Sequence, residues 1–123
     1  MIFKKKIRKF KVNNNLQIKD NGEIIFSKNE MVSINIKNKK NEITAKNWGF
    51  YLTPSINVRL KKNGFKCAII KNKQNKFFFC LVIKNKKEIN SFYKYLKKDK
   101  QYLVSFLNLK KLKNFKWIIY KKK

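Results

Sequence analysis

The chain contains no histidine, one proline (Pro54), three glycines and only six acidic residues: Asp20, Glu23, Glu30, Glu42, Glu88 and Asp99. Without histidine, a Ser-His-Asp triad, a Cys-His nucleophile pair and an imidazole-anchored metal site are all excluded for this chain. The two cysteines, Cys67 and Cys80, fall short of the four ligands that a structural zinc site needs. Long apolar runs are missing too. The longest, residues 77–83, is far below the ~20 residues of a bilayer-spanning helix. The amino terminus is basic and lacks the apolar stretch of a secretory signal, which favours a reducing compartment and free thiols. The expected location is the cytoplasm, or the matrix or stroma for an organelle-encoded protein.

Nothing in the sequence argues for catalysis. There is no Gly-rich phosphate loop, nucleotide-binding fingerprint or zinc-protease motif. Asp20 and Glu23 flank Asn21-Gly22, where they serve to solubilise a turn better than to share acid–base work. A lysine becomes a base or Schiff-base nucleophile only where burial lowers its pKa, and none of the 31 lysines is singled out by its neighbours. No cofactor is implied.

What the chain does have is positive charge: 33 basic residues in 123, a formal charge of +27. Arg8 and Arg59 are the only arginines, and 17 residues are asparagine. Lysine, asparagine, isoleucine and phenylalanine share A/T-rich codons, so a biased genome would favour lysine over arginine. Glutamate also has an A-rich codon, yet it is scarce. That part of the imbalance points to a polyanionic partner. With 43% hydrophobic and 15% aromatic residues, the composition is that of a folded domain rather than a disordered tail.

The periodicities predict an α+β fold, a small antiparallel sheet of hairpins with two short helices. Residues 1–109 would form one domain opened by a basic arm or strand at 1–12, and 110–123 a basic aromatic tail. Residues 7–12 and 16–18 suggest short strands, and Asn21-Gly22 a hairpin turn into residues 23–26. Val32, Ile34 and Ile36 alternate with polar residues, predicting a half-buried strand, a polar loop at 37–41 and a returning strand at 42–45. Residues 65–71 and 76–83 form a hairpin around a four-residue loop. Pairing Lys71 with Lys76 would set Cys67 directly opposite Cys80, either as a disulfide-compatible pair or as two small buried side chains. The unbroken apolar character of 77–83 predicts a central strand covered on both faces. Ile89, Phe92, Tyr93 and Leu96 make one stripe of a helix over 86–98, with Lys87, Lys94 and Lys98 on another face; residues 102–109 make a last strand.

Two stretches could bind. Thr53 can cap a helix with Pro54 in its first turn and Gly64 just past its end. Its amino-terminal amides, with Thr53, Ser55, Asn57 and Arg59, would form an anion site beside a stacking wall of Trp48, Phe50 and Tyr51. The alternative is simply a capped helix tethered by buried aromatics, with Arg59 solvated. In the tail, Phe115, Lys116, Trp117 and Tyr120 interleave aromatic rings with charge, which suits unpaired RNA bases and phosphates. The same mixture suits an anionic membrane surface, or a terminal element folded back to bury Trp117. A nucleic-acid surface would draw on Arg8, Lys87, Lys94, Lys98, Lys110, Lys111, Lys113, Lys116, Trp117 and Tyr120.

The segment Trp48-Gly49-Phe50-Tyr51-Leu52-Thr53-Pro54-Ser55-Ile56-Asn57-Val58-Arg59-Leu60, with Gly64-Phe65-Lys66 and residues 68–72 after it, resembles a family of small bacterial proteins without an assigned activity. The resemblance spans roughly residues 16–105 and implies a β-rich start, a hairpin and a short helix. Such proteins often sit among surface-polysaccharide genes and end in an acidic segment. Here the end is lysine-rich, which implies that the charge belongs to this lineage and not to the fold. The sequence therefore predicts a non-enzymatic basic domain binding RNA, as a ribonucleoprotein component, or another polyanion. The alternative is an accessory protein of surface-polysaccharide metabolism that recognises a phosphorylated sugar.

Overall fold

The computed structural model describes residues 1–12 and 16–118. The α+β architecture predicted from the sequence forms, with eight strands and three helices among the described residues. The chain divides into two compact units, Met1–Thr53 and Pro54–Lys123.

The first unit is entirely β. Strands β1 (Ile2–Val12) and β2 (Leu16–Ile25) pair as an antiparallel ribbon, and β3 (Met31–Ile36), β4 (Lys39–Lys46) and β5 (Gly49–Leu52) form a meander. The turn expected at Asn21-Gly22 does not occur, because β2 runs straight through it. Pairing Phe3 with Ile24 and Ile2 with Ile25 extends the ladder past the point where a local turn would have ended it. Gly22 instead serves a bulge between Lys5 and Arg8, at φ +126, with its N–H donating to Asp20 Oδ1 at 3.0 Å. A Cβ there would lie 2.1 Å from the Lys4 carbonyl oxygen. The polar loop expected at 37–41 contracts to Lys37-Asn38, both in left-handed backbone, the tight turn that matches the twist of a hairpin. Val32 is half-buried as expected, but Ile34 and Ile36 are exposed; among the described residues their own unit has no helix to lay on them.

The second unit builds a covered sheet of order β7-β6-β8, from β6 (Phe65–Lys71), β7 (Phe77–Ile83) and β8 (Tyr102–Leu107). Helix α2 (Lys86–Lys98) has the predicted span; Asn85 Oδ1 caps it by accepting from the Glu88 N–H at 2.8 Å. Its stripe contributes buried Leu96 and half-buried Ile89 and Phe92, whose ring lies 6.2 Å from that of Phe106. On the other face, Leu60 from α1 (Arg59–Lys62) packs with Phe65, Cys67 and Ile83. A one-turn α3 (Leu109–Lys113) follows β8, capped by Asn108 Oδ1 on the Lys111 N–H at 2.9 Å. The tail expected from residue 110 thus opens as helix.

Three expectations about this unit are corrected. The helix expected from Pro54 is a single turn beginning at Arg59. Thr53 does not cap it, since its hydroxyl bonds that of Thr44 at 2.5 Å; Ser55 Oγ accepts from the Arg59 N–H at 3.1 Å instead. Strand β7 is an edge strand, not a central one, and Phe77, Phe78 and Phe79 are exposed. The β6–β7 register is one residue off the expected pairing: Cys67 faces Leu81, and Ala68 faces Cys80. Asn75 takes φ +59 in a loop held by Asn72 Oδ1, which accepts from the Gln74 and Lys76 N–H groups at 3.0 Å each. This adds one residue to the connection. Because side chains alternate between faces, the two cysteines point to opposite sides of the sheet, and both are free thiols. Gly64, at φ +93 just past the end of α1, fills the left-handed position predicted for it.

Candidate nucleic-acid interface

The anion site expected around Arg59 loses its foundation. A single helical turn develops little axial dipole, and Ser55 already satisfies one of its amides. Thr53 belongs to the first unit, with its hydroxyl engaged; Ser55, Asn57 and Arg59 lie exposed in the second. The proposed stacking wall is real but faces solvent. Trp48 sits on the β4–β5 turn, 69% exposed, its ring stacked on Tyr51 at 6.0 Å and 19°. Phe50 is exposed as well, so these aromatics do not act as buried tethers.

The predicted cationic residues fall into four settings. Arg8 holds Asp20 at 3.3 Å and lies 4.7 Å over the Phe10 ring. An exposed pair of this kind is worth ~1 kcal/mol at most, so exchanging Asp20 for a phosphate costs little. Beyond the bulge, Lys9, Lys11 and Lys19 share one face of the ribbon, while Phe10, Val12, Leu16 and Ile18 share the other. Lys87, Lys94 and Lys98 lie exposed on α2, away from the stripe that meets the sheet. Lys110, Lys111 and Lys113 ride on α3, where Lys111 Nζ donates to Ser105 Oγ. Lys116 and Trp117 follow it; Trp117 is 79% exposed, which overturns the folded-back tail as a way of burying it. Tyr120 and the last three lysines lie outside the described residues.

Two concave regions were not anticipated. One follows the ribbon bulge and is lined by Lys4, Lys5, Lys6 and Arg8 together with Asp20 and Glu23. The other, in the second unit, brings Lys73, Lys97 and Lys100 beside Tyr93, Gln101 and Tyr102. No sequence signal marked the second. Tyr93 reads as part of the helix stripe, Tyr102 as the start of a strand, and Lys73 as a loop residue; only the packing of α2 on β8 unites them.

The thiols are poorly suited to reaction. Burial pushes Cys67 up to about 11, helped by neighbouring Cys80, and burial raises Cys80 as well. Among the described residues no helix is long and apolar enough to cross a membrane, and no cluster of three metal-ligating side chains occurs. The fold and surface define a small basic α+β protein whose lysines and uncovered aromatic rings lie side by side. No protein-family model, curated protein or solved structure matches the chain.

Proposed function

We propose that this protein is a non-enzymatic, cytoplasmic RNA-binding domain (matrix or stromal for an organelle-encoded chain), working as a component of a larger ribonucleoprotein. The observation that carries this reading is the pairing of exposed aromatic rings with lysine, above all Trp117 beside Lys116. Aromatic faces left in water gain by stacking on unpaired bases, and adjacent ammonium groups meet the phosphates. Six acids cannot neutralise 33 basic residues, so the chain attracts polyanions at long range.

The test is a salt titration of binding to mixed-sequence single-stranded RNA. Affinity falls steeply with salt, by ~0.7 in log K per log salt for each phosphate neutralised. Removing residues 115–123 deletes four lysines and Trp117 while sparing α3. The slope then becomes shallower by up to ~3 and affinity drops, whereas Arg59→Ala changes both little. Binding that is absent at low ionic strength, or indifferent to salt, overturns the proposal. The reverse order, with Arg59→Ala damaging and the truncation silent, favours recognition of a phosphorylated sugar in surface-polysaccharide metabolism instead.

A further inference from the structure

We infer that the outer edge of β7 takes up an extended acidic polypeptide segment as an added antiparallel strand, with its carboxylates on Lys76 and Lys84. The inference stands apart from the RNA-binding reading above.

The backbone of β7 is open along one side. The Lys84 N–H donates to the Gly64 carbonyl at 2.7 Å, and the Asn72 N–H to that of Lys76 at 3.0 Å. Both bonds belong to the unbroken register that pairs Phe65 with Ile83 and Lys71 with Phe77. In an antiparallel ladder every second residue turns its N–H and C=O toward the neighbouring strand. Phe78, Cys80 and Val82 therefore bond β6, while Phe77, Phe79 and Leu81 turn theirs outward. Among the described residues no strand lies beyond them, since the sheet order is β7-β6-β8.

The opposite edge of the same sheet is guarded. Strand β8 bulges at Val104, where its register with β6 shifts, and the Lys111 ammonium group reaches Ser105 on it. Bulges and lysines are devices that keep an edge from pairing. Strand β7 has neither, and no charged residue, glycine or proline interrupts residues 77–83. The contrast marks β7 as the side that pairs.

The side chains set what the added strand carries. Phe77 and Phe79 share the face of Leu81 and Ile83, the row that packs beside Leu60, yet they are 61% and 50% exposed. Aliphatic residues at alternate positions of an added strand would cover them. Lys76 and Lys84 bracket the apolar run, both exposed and on the other face, ~27 Å apart along an extended chain. They call for a carboxylate at each end of the segment. A second copy of this chain would bring another +27 instead, so charge selects an acidic partner. Main-chain bonds then supply affinity, and the alternate side chains supply selectivity.

The test titrates the full chain into a labelled peptide, Glu-Val-Thr-Val-Thr-Val-Thr-Val-Glu, followed by fluorescence anisotropy at one fixed salt concentration. Added antiparallel, it sets valines beside Phe77, Phe79 and Leu81 and glutamates opposite Lys76 and Lys84. Saturable binding is expected, and exchanging both glutamates for lysine weakens it about tenfold. The double variant Lys76→Glu with Lys84→Glu reverses that preference. N-methylating the valine amides, which face β7, abolishes binding; N-methylating the threonine amides, which face away, leaves it unchanged. Phe79→Pro removes an outward N–H without touching a bond to β6, and also abolishes binding. The charge swap carries the test should that variant not fold. On binding, the outward amides of Phe77, Phe79 and Leu81 become protected from hydrogen exchange. Absence of binding, equal effects of the two methylation patterns, or a preference that survives the charge swap each overturns the proposal. Protection of those amides by oligo(U) and not by the peptide assigns the edge to RNA and overturns it. A dimer in sedimentation velocity that Phe79→Pro abolishes assigns the edge to a second copy, and overturns it too.

Discussion

The two units use similar side chains to opposite ends. In Pro54–Lys123, buried Leu60, Phe65, Cys67, Ala68, Ile70, Val82, Ile83 and Leu96 fill both faces of a sheet between α1 and α2. Among the described residues of Met1–Thr53 the only buried hydrophobic one is Ala45, and every residue of β1 is exposed. Apolar content does not separate them. A sheet buries a face only when another layer lies on it, and among its described residues the first unit has no helix to supply one. Its order rests on ladder hydrogen bonds, cross-strand pairs and turns.

Breaking the second unit should produce the largest effect. Leu60→Ala removes a side chain that is 1% exposed from the centre of the core and is expected to cost ~2–5 kcal/mol, read as a lower urea midpoint with an unchanged slope. The corresponding lesion in the first unit is Gly22→Ala, which sets a Cβ against the Lys4 carbonyl and forces a left-handed alanine. It should cost ~1–3 kcal/mol locally, erasing amide protection in the ribbon while protection in β6 is unaltered. Equal loss in both units would show that they unfold as one and would break the contrast.

A smaller effect is expected at alkaline pH. The Cys67 thiol is held up to about 11 by burial against an ordinary value of 9, so the unfolded chain releases this proton first. Stability is unaffected by this group below pH 9 and declines between about pH 9 and 11; Cys67→Ala flattens that decline. In the folded protein Ellman's reagent should titrate half-buried Cys80 before buried Cys67. The smallest effect concerns Asn41, buried in the meander with its Oδ1 unpartnered. Asn41→Leu should be neutral or stabilising by ~1 kcal/mol in thermal melts, since it removes an unsatisfied acceptor and adds buried apolar area to the half that has little of it.

The legible parts of the fold were those carried by local chemistry. The span of α2 follows from a stripe at helical spacing, and Gly64 marks the end of α1 because only a residue at ease with positive φ suits that position. The asparagines turn out to be placed as physics prefers them: Asn85 and Asn108 cap helices, while Asn29, Asn38 and Asn75 take left-handed backbone. Of the candidate site, the exposed charge on α2 and at Lys110, Lys111, Lys113 and Lys116 could be read in advance, since charge of that density has nowhere to go but water. The exposure of Trp117 could not, because an aromatic residue at a chain end suits a core and a stacking surface equally well.

By itself the sequence determined the α+β class, the elements with their own start and stop signals, and the dense positive charge, because each depends on neighbours within a few residues. Only the tertiary structure decided the rest. Asn21-Gly22 became a bulge because a longer ladder outweighed a local turn. One left-handed residue at Asn75 shifted the β6–β7 register and sent Cys67 and Cys80 to opposite faces. Strand β7 went to the edge because β8 pairs with the far side of β6. The pocket around Gln101 gathers a loop, a helix end and a strand start that lie up to about thirty residues apart, and such a meeting is set by how the layers pack.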